Sequence, residues 1–133
     1  MILVDTSAWI EYLRDTRTHV AGAVSRLITA DLATTDPVAM ELLAGARDDD
    51  HLESLRGLLA RCTHVGVESA DWDDAARIYR TARRAGVTVR RMADCLIAAV
   101  AMRADAEVLH ADGDFDRIAR VAPLAIHRDA RGD

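Results

Sequence analysis

Four carboxylates in this chain stand where carboxylates are poorly tolerated. Asp5 ends the apolar run Ile2–Val4 in MILVDTSAWIEYL, and Asp112 follows the strand-like EVLHA. Asp94 lies in RRMADCLIAAVAMR, where its i+3, i+4 and i+7 neighbours are Ile97, Ala98 and Ala101. Helical geometry therefore turns Asp94 toward an apolar, inward face, where an unpartnered charge is strongly disfavoured. Glu41 is wedged between Met40 and Leu42 in PVAMELLAG, and Asp114 comes two residues after Asp112 in ADGDF. Taken singly, Asp5 reads as a helix cap, Glu41 as a partly exposed helix residue, and Asp112-Gly113-Asp114 as a turn entering a helix. For Asp94 a simple pairing with Arg90 or Arg91, three or four residues earlier, is the one such reading that is not favoured even singly. Jointly they read as a site.

Electrostatics then dictates the chemistry. Two carboxylates ~4 Å apart repel by ~4 kcal/mol at an effective dielectric near 20. A cluster of them must hold protons or bind a cation. Oxygen ligands without His or Cys favour hard ions, so Mg²⁺ or Mn²⁺ is expected, and such sites work on phosphates.

The elements that must position these acids alternate strand and helix, which points to an α/β domain with a mostly parallel sheet. Ile2–Val4 is the first strand. Trp9, Ile10 and Leu13 mark a short helix, and Val20, Ala23, Val24, Leu27 and Ile28 mark a second. A strand is expected near Ala33–Thr35, then a helix with Asp36 as N-cap and Pro37 as its first residue, stopping at Gly45. Leu52, Leu55, Leu58 and Leu59 give the next helix, and His64–Val67 a short strand. Trp72, Ala75, Ala76 and Tyr79 mark a helix ending at Gly86. After the turn GVTV a helix runs from about Arg91 to Arg103. Glu107–His110 is a strand, Phe115 and Ile118 belong to a short helix, and Leu124–His127 is a final strand. Asp5 and Asp112 thus both follow strand ends, the edge where open parallel sheets bind ligands.

Composition bounds the rest. At 133 residues the chain is expected to form one domain over 1–133, large enough to bury a core unaided. No apolar run suits a bilayer, and no basic segment precedes the opening apolar stretch as a signal peptide would need. Cys62 and Cys95 show no metal-ligand spacing and read as reduced thiols of a cytoplasmic protein. Net charge is −5, and all 17 basic residues are arginine. The absence of lysine sets aside receiver domains and aspartate-nucleophile phosphatases, which use a lysine beside the phosphoryl group.

In order and spacing, VDTSAWIEYL, PVAMELLAG, ADCLIAAVA and HADGDF resemble the PIN-domain ribonucleases, specifically VapC-type toxins of toxin–antitoxin pairs, over essentially the whole chain. The resemblance implies a three-layer α/β/α sandwich and Mg²⁺- or Mn²⁺-dependent RNA cleavage leaving a 5′-phosphate and a 3′-hydroxyl. It assigns metal binding to Asp5, Glu41, Asp94 and Asp112, with Asp114 as an auxiliary acid. Thr6 and Ser7 would orient Asp5 or a water. His110 stands where many members carry Thr or Ser, which puts the polar contact at that spot in question.

The resemblance also implies a small VapB-type antitoxin that covers the acids and a homodimer, with the early helices as a candidate interface. For the RNA, RIYRTARRAGVTVRR carries six arginines and no acid. Arg77, Arg80 and Arg84 share a helix face, and Arg90 and Arg91 precede the Asp94 helix; a phosphate track and a solvated helix face are equal readings. The rival to an enzyme is a catalytically inactive PIN-like module that binds RNA or protein; four mutually repelling acids argue against it.

Overall fold

The computed structural model describes residues 1–132. Its four strands, β1 (Ile2–Val4), β2 (Leu32–Thr34), β3 (Thr63–His64) and β4 (Glu107–Leu109), form one sheet in the order β3-β2-β1-β4. Every pairing is parallel. Parallel strands need crossovers, and seven helices among the described residues supply them and cover the sheet: α1 (Thr6–Leu13), α2 (His19–Leu27), α3 (Asp36–Ala44), α4 (Asp49–Ala60), α5 (Ser69–Arg84), α6 (Met92–Arg103) and α7 (Gly113–Ala119). This is the expected α/β/α sandwich. Leu3, Val4, Leu32 and Val108 from the strands meet Trp9, Val24, Ile97 and Phe115 from the helices in one core.

The strand order fixes the site. From β1 the chain steps outward through β2 and β3, then returns to β4 on the other side of β1. The order therefore reverses between β1 and β4, and a crevice opens there at the strands' carboxyl ends. Asp5 closes that seam directly, its N–H donating to Leu109 O at 3.0 Å.

Local chemistry shifts several expected boundaries. Asp36 is the first residue of α3 rather than its cap, and Thr35 takes the N-cap position. The Asp36 side chain is drawn instead to His64 Nε2 at 2.6 Å and the Val67 N–H at 3.2 Å, tying α3 to β3. The inward face of α5 is Asp71, Ala75, Ile78 and Ala82, whereas Trp72 is 63% exposed. Arg103 of α6 holds buried Asp71 on this inward face through three hydrogen bonds (Nε to Oδ1 at 3.0 Å and to Oδ2 at 3.2 Å, Nη2 to Oδ2 at 2.9 Å). The strand expected over Leu124–His127 is a single parallel bridge, Val108 with Ile126. Pro123 lacks a donor N–H just before it, and Asp129 turns the chain away by bonding its N–H to His127 Nδ1. Both cysteines are free. Trp9, Val20 and Val24 are core, so of the apolar residues of α1 and α2 only Ile10 and Leu13 remain well exposed.

Candidate active site

Asp5 is the N-cap of α1 and Asp112 the N-cap of α7. Capping and site membership coexist, because each cap uses one oxygen. Both bonds from Ser7 land on Asp5 Oδ2, N–H at 3.0 Å and Oγ at 2.6 Å. Asp112 Oδ1 accepts the Asp114 N–H at 3.0 Å. The hydroxyl expected to orient Asp5 is Ser7's. Thr6 Oγ1 is buried without a protein partner, and only the Thr6 backbone N–H acts on Asp5.

α6 delivers Asp94 to the same edge. This side chain is 1% exposed, and its Oδ2 has no hydrogen-bond partner. Burial, then the Asp5 charge, then a hydrogen bond to Asp114 push its pKa up to about 9. Burial likewise raises Asp5, opposed by the Ser7 bonds and reinforced by the Glu41 charge. One oxygen each of Asp94, Asp112 and Asp114 can be chosen so that all lie within 4.8 Å of one another. Asp5 and Glu41 stand outside that trio, linked to it through Asp5's action on Asp94.

Asp114 is the best-satisfied acid of the group. It is fully buried and accepts the Arg90 N–H at 3.1 Å, the Arg91 N–H at 2.9 Å and Arg117 Nη1 at 3.0 Å. Burial pushes its pKa up, but these donors outweigh it and hold the carboxylate below its ordinary value. Its work is to anchor the backbone that begins α6.

His110 makes two polar contacts of its own. Its Nδ1 accepts the Asp112 N–H at 3.1 Å, which leaves the ring proton on Nε2, 3.2 Å from Asp116 Oδ1. Burial lowers its pKa, so the ring is neutral near pH 7. The His110–Asp116 support, the Arg117 bond to Asp114 and buried Asp71 escape a reading of spacing alone.

The arginines divide. Arg90 Nη2 reaches Asp112 Oδ1 at 3.3 Å, and Arg91 Nη2 reaches Glu41 Oε1 at 2.7 Å. Arg77, Arg80 and Arg84 stay on the exposed face of α5, where Arg77 pairs with Asp73 at 2.8 Å. Beside Glu41 opens a groove of ≈ 380 Å³ walled by Thr6, Ile10, Leu13, Leu42 and Leu55.

Residues 2–121 match the family model described as PIN domain. The chain belongs to the PIN-domain family. Over 128 residues this PIN domain is 49% identical to VapC ribonuclease Mb1587 of Mycobacterium bovis, spanning 93% of this chain and 96% of the relative. The same values hold for ribonuclease VapC11 of Mycobacterium tuberculosis. Solved structures with this fold include FitAcB from Neisseria gonorrhoeae (TM-score 0.73, 24% identity, 97% of this chain and 98% of that one). VapBC-1 from nontypeable Haemophilus influenzae is another (TM-score 0.74, 22% identity, 96% and 97%). In this PIN domain the fit to a hard cation rests on an all-oxygen donor set and on the buried, unpartnered Asp94 Oδ2.

Proposed function

We propose that this PIN domain, acting as one unit over residues 1–133, is a divalent-cation-dependent endoribonuclease and the toxin of a toxin–antitoxin pair. The observation that carries the reading is Asp94 Oδ2, buried without a partner beside Asp112 and Asp114, in a chain 49% identical to proteins named as ribonucleases.

Asp5, Glu41, Asp94 and Asp112 would hold Mg²⁺ or Mn²⁺, with Asp114 fixing the loop that presents them. The cation's chemistry is Lewis-acid stabilisation of charge on the scissile phosphate and acidification of a water. Ser7 orients Asp5, and His110 orients the backbone that carries Asp112. Arg90 and Arg91 face the phosphate, and Arg77, Arg80 and Arg84 extend a basic track along α5. Water oxygen joins phosphorus as the P–O3′ bond breaks, leaving a 5′-phosphate and a 3′-hydroxyl. The partner is a VapB-type antitoxin, for which the groove beside Glu41 offers a mixed seat, exposed Ile10 and Leu13 together with Arg14, Arg47 and His51. The toxin itself is a homodimer.

Incubating total RNA with the purified, antitoxin-free chain in Mg²⁺, Mn²⁺ or chelator, alongside Asp94→Asn, tests this. Metal-dependent cutting that the variant loses supports the nuclease. Intact RNA under every metal condition, from folded protein, favours the inactive binding module.

A further inference from the structure

Arg91 sits where a positive charge from outside the chain would also be drawn. Its guanidinium meets Glu41 at 2.7 Å. Its backbone cannot leave, because the Arg91 N–H is bonded to Asp114 Oδ2 at 2.9 Å and the Arg90 N–H to Oδ1 at 3.1 Å. The head group can. Arg91 is 48% exposed and Glu41 22%, so the contact lies at the mouth of the crevice rather than within it.

We propose that Arg91 is an exchangeable counter-charge on Glu41: its guanidinium competes with the divalent cation for that carboxylate and, once displaced, turns on its anchored stem to grip the RNA phosphate. This rests on the reading of the acids as a cation site. A cation among Asp5, Asp94 and Asp112 repels a guanidinium on Glu41 and offers that carboxylate a better partner. Asp94 Oδ2 shows where the cation gains most, being buried and unpartnered in the presence of Arg91. Released at the crevice mouth, a planar five-donor group matches a phosphate bidentately. The arrangement keeps the acids partly neutralised before the cation arrives and couples its arrival to substrate grip.

The two roles give affinities of opposite sign, which a merely structural arginine does not. Full-length wild type and Arg91→Gln are titrated with Mn²⁺ by calorimetry, and separately with a 2′-O-methyl RNA oligonucleotide that is not cleaved, in Mn²⁺. Thermal melts verify the fold of each. Arg91→Gln is expected to bind Mn²⁺ about fivefold more tightly or better, and the oligonucleotide about fivefold more weakly or worse. In a Glu41→Gln background, Arg91→Gln is expected to lose its effect on Mn²⁺ affinity, and Arg91→Lys in the wild-type background to restore part of the RNA affinity. Parallel losses of both affinities, or no change in Mn²⁺ affinity, overturn the exchange while leaving the nuclease reading intact. Failure of folded wild type to bind Mn²⁺ overturns both.

Discussion

The Ser7 hydroxyl bridges the two strand ends of the site: it donates to Asp5 Oδ2 at 2.6 Å and accepts the Ala111 N–H at 2.9 Å, one residue before Asp112. One side chain thereby fixes the spacing of acids from β1 and β4. Ser7→Ala leaves a buried carboxylate less satisfied and an N–H without its acceptor, a loss of about 1–3 kcal/mol in stability. Because the lost bond had lowered the Asp5 pKa, Mn²⁺ binding should also require higher pH in the variant. Urea denaturation and Mn²⁺ titration across pH measure the two effects; an unchanged pH profile would remove Ser7 from the site.

Asp94 makes stability depend on pH in a direction opposite to ordinary surface acids. Burial, the Asp5 charge and the bond to Asp114 raise its pKa from 3.8 to about 9. The folded cation-free chain therefore holds a proton that the unfolded chain releases. That contribution is complete below the unfolded pKa and is lost as pH rises toward the folded one. Wild type without metal should lose stability between about pH 4 and 9, and Asp94→Asn should be flatter over that window. Mn²⁺ should restore wild type near the top of the window and leave the variant unmoved. Melting temperatures across pH, with and without Mn²⁺, check this; parallel curves for the two proteins count against it.

Asp114 behaves as the opposite kind of acid. With its pKa held below the ordinary carboxylate value, it stabilises the fold above that value, and the contribution fades as pH falls through the folded pKa. Asp114→Ala removes the acceptor of the Arg90 and Arg91 N–H groups and of one Arg117 bond, at a cost on the order of 3 kcal/mol or more. A smaller loss by chemical denaturation would mean that water replaces the carboxylate at the start of α6.

What was legible in the sequence was whatever a short segment encodes by itself. Asp5 and Asp112 follow apolar runs, so both strand ends and the Asp5 cap could be placed; α6 announces itself by an acid on an apolar helix face. Gly86, at φ 73, ends α5 with Val87 N–H on Ala82 O at 2.8 Å, as its residue type suggests. The same turn closes α1 and α6 at Asp15 and Asp105, where an aspartate in the left-handed region gives no such cue. Contacts between distant segments stayed hidden. Nothing near Arg91 in the chain points to Glu41, fifty residues away, and nothing near Asp71 points to Arg103. The strip of arginines divides as its two groupings suggest, three on an open helix face and two before α6, but only the structure shows that those two lie on the acids and that Arg83 lies over the Tyr79 ring.

Asp71 is a buried acid that lies outside the candidate site. It is fully buried like Asp114, but its partners are Arg103 and the Glu68 N–H at 2.8 Å, and Arg103 also reaches Gly66 O at 2.6 Å. The Arg103 bond holds its pKa below the ordinary value despite burial. This pair joins α5 to α6 and involves none of the site acids. Asp71→Ala should cost on the order of 3 kcal/mol by leaving Arg103 without its forked acceptor. Arg103→Lys should cost only part as much, since an ammonium still pairs with Asp71 but cannot form the planar fork. Mn²⁺ affinity of the folded fraction should remain within about twofold of wild type, because the site's acids keep every one of their own partners. Calorimetric Mn²⁺ titration at a temperature where the variant is folded decides it: a large fall in affinity would show that the α5–α6 clamp, and not α6 alone, sets the position of Asp94.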